Sequence, residues 1–319
     1  TATRFVNLSE CDYPPDGFGV LVNSDGSGGC TEAASGGISD PRLGAIGSKE
    51  NRGKAAGINA AVALADGDVV VLGDARQRFA PDAIRQLVRH FADSTVGAVS
   101  GALEVQAGKS AVGGGIDAYW RLESFLRRQE AVIGSCIGCT GAICAIRRSV
   151  FVPLPDGTIL DDVVLPMGIA LQGYRIVYES AARATDPQPL EPAIESRRKR
   201  RTMAGNFQML FRHPGWLLPW RNRLWWQLIS HKYLRLLGFP LMVATLASNA
   251  VLLGMPFYRL LLAGQLGFYL AAVLGLTVPT LRSRLFALPA SFVFVNWRAV
   301  LGLADYLFRE SRPGWDRAA

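Results

Sequence analysis

Apolar and polar positions alternate in two different ways along this chain, and each predicts a different kind of element. Up to about residue 186, short apolar runs alternate with longer stretches of helical spacing. FGVLVNSDG, DVVVLGD, VGAVSGAL, TGAICAIRR and YRIVYES read as strands. GKAAGINAAVALADG, PDAIRQLVRHFAD with Pro81 at its start, GIDAYWRLESFLRRQE and DDVVLPMGIALQG read as helices. Such alternation predicts an α/β domain with a mostly parallel sheet and flanking helices. In such sheets ligands gather at the carboxyl ends of the strands, where Asp25 and Asp74 fall. After the RRKRR run the pattern becomes continuously apolar. Residues 236–258 and 260–281 carry no charge, and each exceeds the roughly 20 residues that cross a bilayer. Soluble helices of that length are rarely apolar on every face. Residues 285–304 form a weaker third span, because Arg298 sits inside it.

Charge sharpens this division. The formal net charge is +8 over 319 residues. Between Glu195 and Arg235 there are ten Lys/Arg against one Glu, interleaved with Trp216, Trp220, Trp225 and Trp226. Basic residues and Trp just before a span read as a membrane-interface collar on the cytoplasmic side. The adjoining spans favour membrane lipids over nucleic acid as its partner. The expected organisation is a catalytic-type domain over 1–207, an interface region over 208–235, a transmembrane region of two or three helices over 236–305, and a tail over 306–319. The chain begins TATRFVNLSECDYPP, with no Met and no preceding strand, and reads as starting inside a longer protein. Of Cys11, Cys30, Cys136, Cys139 and Cys144, the pair in CIGC has the spacing of half a zinc site, but no second pair follows at a usable distance. These cysteines are expected to be small core residues in a reducing compartment.

Four short stretches could carry chemistry. NSDGSGG places Asp25 and glycines after a strand, suiting a ribose or base, although alone it is a common turn. ENRGKAAGIN puts Gly53 and Lys54 at a helix start, where backbone N–H groups and an ammonium suit a diphosphate. VVVLGDARQRF ends the most apolar strand in Asp74. That carboxylate needs a partner: either a divalent cation bridging a diphosphate, or Arg76 or Arg78. TILDDVVLP supplies Asp161 and Asp162, which a helix points about 100° apart, so one of them faces a given ligand. A carboxylate facing a hydroxyl can act as general base, and helix-dipole stabilisation is the plainer reading.

The order of these pieces is more specific than any one of them. SDGS, NRGKAxxxN, a strand ending in Asp, PDA, VGAVSG, TGAICAIRR, an acid pair, GYRIVYES and a basic RRKRRTMAGN resemble the membrane-associated family 2 glycosyltransferases, relatives of cellulose, hyaluronan and poly-N-acetylglucosamine synthases. The resemblance covers roughly residues 10–305. It implies a GT-A fold and inverting transfer from a nucleotide sugar. By resemblance Asp25 contacts the nucleoside, and Gly53 and Lys54 the nucleotide region. Asp74 matches the first acid of the DxD motif, which holds Mg²⁺ or Mn²⁺ and the diphosphate. Arg76 stands in place of the second acid, where it would meet the diphosphate or salt-bridge an acid of the sheet edge. Asp162 matches the general base of the family's ED motif, and Asp161 replaces the preceding Glu. Arg201 matches the Arg of QxxRW, while Arg198 replaces Gln and Thr202 replaces Trp. The missing Trp weighs against processive polymer synthesis, and the family's first strand and base-binding loop are absent. Glu123 is a candidate acid on the acceptor side, with a solvated helix face as the plainer reading.

The resulting expectation is a membrane-bound inverting hexosyl- or N-acetylhexosaminyl-transferase. It would move a sugar from a UDP- or GDP-sugar to a lipid or glycan hydroxyl. Its expected site is the bacterial inner membrane, with the catalytic domain in the cytoplasm. The alternative is a non-catalytic membrane protein binding a sugar nucleotide or a glycan-assembly partner. The altered DxD and QxxRW favour that alternative, and the acid pair opposes it. A transporter is disfavoured, since the two best spans offer only Gln265 and Asn249 as polar amides along a pathway.

Overall fold

The computed structural model describes residues 2–25, 40–48, 50–105, 111–187, 192–278, 280–281 and 283–308. A helix α1 (Ala2–Ser9) leads into a parallel pair of strands, β1 (Val20–Asp25) and β2 (Leu43–Ser48). The main sheet has five strands in the order β3-β6-β5-β7-β4. These are β3 (Val69–Gly73), β4 (Arg78–Phe79), β5 (Val96–Val105), β6 (Ile143–Arg147) and β7 (Arg175–Asp186). Helices α2 (Lys54–Leu64), α3 (Ala83–Val88), α4 (Ala111–Ile133) and α5 (Asp161–Ala170) flank it, and α6 (Pro192–Arg212) follows β7. Along β6, Cys144 and Ile146 join one apolar cluster, with Ile58 of α2 and Met167 of α5. Ile143 and Ala145 join another, with Leu87 of α3. This is the period of two expected of a strand buried on both faces.

The sheet is mixed, which corrects the expectation of mostly parallel pairing. Among the described residues only β5 and β7 pair in parallel within it; β6 runs against both β3 and β5, and β4 runs against β7. The reason lies in what precedes β6. Its first residue, Ile143, pairs with Gly73, the last residue of β3. After α4 the chain therefore returns to the carboxyl edge of β3 before entering the sheet, and segment 134–142 runs along the edge where Asp74 emerges. The strand β2 and the two-residue β4 carry no strong apolar alternation, and the sequence reading passes over both.

Beyond α6, three helical stretches among the described residues are long and apolar enough to cross a membrane: Trp225–Val251, Pro256–Thr277 and Arg284–Phe308. The first comprises α7 (Trp225–Leu228), a π turn at Ile229–Tyr233, a 3-10 turn at Leu234–Leu237 and α8 (Gly238–Val251). The others are α9 (Pro256–Thr277) and α10 (Arg284–Phe308). The break between α8 and α9 lies at 252–255, so Arg259 belongs to the first turn of α9 and not to the connection. Its Nε donates back to the Leu253 carbonyl at 2.7 Å. Asn249 and Gln265 bond to each other at 2.9 Å across α8 and α9, the polar glue typical of apolar helix pairs. The third helix lies against α6. A Cβ on Gly302 would stand 2.6 Å from that of Met203, so only glycine permits this approach. Arg200 and Asp305 pair beside it.

Candidate active site

Lys54 is the hub of the carboxyl edge. It is the first residue of α2, after Gly53 at φ 86°, a left-handed conformation that favours glycine. Asn59 fixes the helix by bonding the Leu154 carbonyl at 2.9 Å and accepting the Leu154 N–H at 2.8 Å. From there the Lys54 ammonium reaches Asp74 Oδ1 at 3.1 Å, Asp161 Oδ2 at 3.1 Å and the Gly141 carbonyl at 3.4 Å. Lys54, Gly73, Gly141, Asp161 and Asp162 line one cavity of about 70 Å³, whose floor is formed by Ile58, Leu72, Cys139, Cys144 and Leu165. This volume suits a small group and is far below that of a whole nucleotide sugar.

The acid pair opens α5, where the helix dipole favours negative charge. The loop before it is held from α6: Gln208 accepts the Ile159 N–H at 2.9 Å and donates to the Gly157 carbonyl at 2.9 Å. Segment 134–142 packs closely on the pair, with the Cys139 N–H donating to the Asp162 carbonyl at 2.8 Å. Burial and the neighbouring Asp161 push the Asp162 carboxyl above its ordinary range, more than Lys232, Lys54 and Arg127 pull it down. For Lys54, the fields of Asp161 and Asp74 outweigh burial and hold the ammonium firmly charged.

The other predicted residues are placed differently. Arg76 reaches across to β7: its Nη2 and Nε lie 2.9 and 3.1 Å from Oδ2 of the buried Asp186 at the end of that strand, and Gln77 supports the same oxygen at 3.3 Å. Of the alternatives for Arg76, the geometry is that of a salt bridge to an acid of the sheet edge. Asp74 takes Lys54 as a partner, 20 positions away in sequence. Asp25 ends β1, but its side chain lies outside the described residues, as do Gly26–Gly29 and Cys30. Arg198 and Arg201 stand on α6 and do not line the cavity. Glu123 is buried, which corrects the solvated-face reading: on α4 its carboxylate meets Arg127, His231 and Lys232 at 3.3, 3.1 and 3.7 Å. The spacing of Glu123, Arg127 and Glu130, four and then three apart, already placed them on one helix face.

The Glycosyltransferase like family 2 model matches residues 6–205, well over half of the chain. The chain belongs to this family. Its domain is that of a glycosyltransferase. Over 140 residues, 42% of this chain, the glycosyltransferase is 29% identical to the poly-β-1,6-N-acetyl-D-glucosamine synthases of Staphylococcus aureus strains COL and N315, and spans 34% of their length. Among solved structures it is similar to the mannosyltransferase PcManGT from Pyrobaculum calidifontis in complex with GDP-Man and Mn²⁺. The TM-score is 0.66 at 23% identity, covering 97% of this chain and 83% of that one, a likeness of fold. The GT-A architecture with apolar helices behind it is therefore established.

The cavity of the glycosyltransferase is acid-rich. Among its described lining residues Lys54 is the only cation, beside Asp161 and Asp162, and it is also paired with Asp74. An added cation is electrostatically favourable there. Yet among the described residues no group of three or more His, Cys, Asp or Glu is arranged to hold a metal unaided. The residues fit a cation shared between one or two carboxylates and phosphate oxygens of a ligand, the usual manner of Mg²⁺.

Proposed function

We propose that the chain is the catalytic and membrane-anchoring part of an inverting glycosyltransferase, which moves a sugar from a UDP- or GDP-sugar to a hydroxyl of a lipid or glycan. The observation that carries this reading is the acid pair at the start of α5, facing Lys54 and Asp74 across one cavity, with the Asp162 carboxyl raised. A raised carboxyl is the better proton acceptor, which suits a general base working near neutral pH.

In this reading the acceptor hydroxyl approaches Asp162, which removes its proton as the oxygen attacks the anomeric carbon from the face opposite the leaving nucleotide. A single displacement of this kind inverts the configuration. Lys54 stands between the acid pair and Asp74, placed to stabilise charge on the departing diphosphate. Asp74 would hold Mg²⁺ or Mn²⁺ jointly with that diphosphate, and the cation would supply further neutralisation of the leaving group. Asp161 keeps Lys54 in position. Asp25 and Gly53 remain candidates for the nucleotide side, and Arg198 and Arg201 for a donor contact. The GDP-Man and Mn²⁺ in the complex of the similar mannosyltransferase, and the polymer of the staphylococcal poly-β-1,6-N-acetyl-D-glucosamine synthases, agree with a nucleotide-sugar donor and a glycan acceptor.

The apolar helices would anchor the enzyme in a bacterial inner membrane. The basic, Trp-rich region before them would face anionic lipid, and the catalytic domain the cytoplasm, where nucleotide sugars are made. The test is a screen of UDP- and GDP-sugars with the membrane-embedded protein, reading nucleotide release and product, beside Asp162→Asn. Turnover lost in the variant with donor binding retained supports the reading. Donor binding by the wild type without any transfer would instead favour a sugar-nucleotide-binding membrane protein.

A further inference from the structure

A second buried charge cluster lies behind the cavity and uses residues that the chemistry above does not. It joins α4 to the helical stretch that leads into the membrane. His231 sits in the π turn at Ile229–Tyr233. Its Nδ1 lies 2.8 Å from Glu130 Oε1 and its Nε2 3.1 Å from Glu123 Oε2. Both carboxylates and the imidazole are more than nine-tenths buried. A neutral imidazole carries one N–H and can donate to only one of the two oxygens, whereas the imidazolium donates to both. Glu123 is held well below the ordinary carboxylate range: burial opposes this, and Lys232, His231 and Arg127 outweigh it. It is an acceptor and not an alternative donor.

The cluster continues toward the cavity. Glu123 pairs with Arg127, whose Nη1 donates to Thr140 Oγ1 at 2.6 Å. The Thr140 N–H donates to Ser100 Oγ at 2.8 Å, and its hydroxyl to the Gly101 carbonyl at 2.8 Å. Thr140 lies between Cys139, which bonds the Asp162 backbone, and Gly141, which takes the Lys54 ammonium. An unbroken line of contacts thus runs from the juxtamembrane π turn to both arms of the candidate site. The π turn is itself an irregularity of the kind often found at functional sites. It lets the adjacent His231 and Lys232 reach the same Glu123 carboxylate.

We propose that His231, as an imidazolium clamped between Glu123 and Glu130, is a positioning residue: it locks the juxtamembrane helix to α4 and, through Glu123, Arg127 and Thr140, sets the segment against which Asp162 and Lys54 are held. Apart from Glu123, Glu130, Arg127 and Lys232, the ionisable groups close to this chain of contacts include Tyr233 on the same turn, Asp162 and Cys139, whose fields reach Arg127, and Cys136, whose thiol is pushed up to about 12 by burial and Glu130. None takes the place of the second donor that His231 supplies.

The proposal rests on the transferase reading, so its test has one arm that needs no activity. The full chain in bilayers is labelled with ¹⁵N-histidine; its three histidines are separated by comparison with His231→Gln. An imidazolium ring signal at neutral pH, present in wild type and absent in the variant, is expected. A neutral-ring signal overturns the clamp, whatever the turnover. In the second arm, His231→Phe and His231→Gln should lower kcat roughly ten- to a hundred-fold with donor KM nearly unchanged, because misplacement of the site and not loss of donor contacts is the cause. His231→Arg, with two donors and a charge, should restore much of the loss. An unchanged kcat in both neutral variants, or equal loss in His231→Arg while all three proteins keep the wild-type melting temperature, overturns the proposal. Wild-type chain that transfers no sugar would count against the transferase reading alone, leaving the ring signal to decide the clamp.

Discussion

The two buried charge clusters are made of the same kinds of side chain and behave in opposite ways. Around Lys54, the Asp74 and Asp161 carboxylates share one ammonium, Asp162 stands beside them, and the cluster opens onto a cavity. Around His231, two carboxylates meet Arg127, Lys232 and the imidazole, and the cluster is closed. In the first, burial and a like charge raise Asp162. In the second, surrounding cations overcome burial and lower Glu123. Matched charge holds structure, and unmatched charge at an opening is poised for a proton or a cation.

The strongest way to break this comparison is to neutralise one acid in each cluster. Asp162→Asn should lower kcat by roughly 10²- to 10⁴-fold, the usual contribution of a general base, with nucleotide binding retained in a titration. The same substitution should raise the melting temperature at neutral pH. A carboxyl whose folded-state pKa is raised binds its proton more tightly when folded, so stability falls as pH climbs from the ordinary carboxylate value through the raised one. The gain in Asp162→Asn should therefore be complete above that window and vanish below it. Glu123→Gln should have the opposite sign. Its lowered pKa contributes stability above the ordinary carboxylate value, lost as pH falls toward the folded value. At neutral pH the loss should be about 3 kcal/mol, since cations are left buried without a partner. Denaturant melts of both variants at two pH values check the pair; equal signs would dissolve the distinction.

Smaller effects sharpen it. Asp74→Asn should weaken donor affinity about tenfold, near 1.4 kcal/mol, and abolish whatever response donor binding shows to a chelator. A donor affinity indifferent to both would remove the shared cation from the site. Arg76→Ala should leave donor binding alone and cost about 1–2 kcal/mol of stability, because it removes a charged partner of the buried Asp186 carboxylate while Gln77 still bonds it. Reduced donor affinity in that variant would place Arg76 on the diphosphate after all.

How much of this could be read beforehand follows from sequence distance. Strand β3, helix α2 and helix α5 announce themselves through local spacing, and Asp74, Lys54 and the acid pair stand at their ends where such a sheet presents ligands. The run of β6 against its neighbours does not, because the reversal is made by segment 134–142, whose Gly, Ser and Cys carry no periodic signal. Nor does the choice of partners. Asp74 has Arg76 and Arg78 within four residues, yet pairs with Lys54 20 positions away, while Arg76 crosses 110 positions to Asp186. The helix-face spacing of Glu123, Arg127 and Glu130 was visible, but His231 lies 108 residues from Glu123 and reads as one of three scattered histidines.

The contact at Gly302 bears on how the protein can be dissected. The change from amphipathic to apolar sequence suggests a cut at about residue 207, or after the basic collar at 235. Residue 207 lies inside α6, and Met203 and Ala204 of that helix rest on Gly302, far beyond either cut. A truncated chain ending at 235 loses the whole of α10, leaving Ala204 uncovered and Arg200 without Asp305. The same α6 presents Gln208 to the loop before the acid pair. Removing the apolar helices therefore strips the support from one side of the candidate site, and a unit that keeps these contacts of α6 extends at least through Asp305.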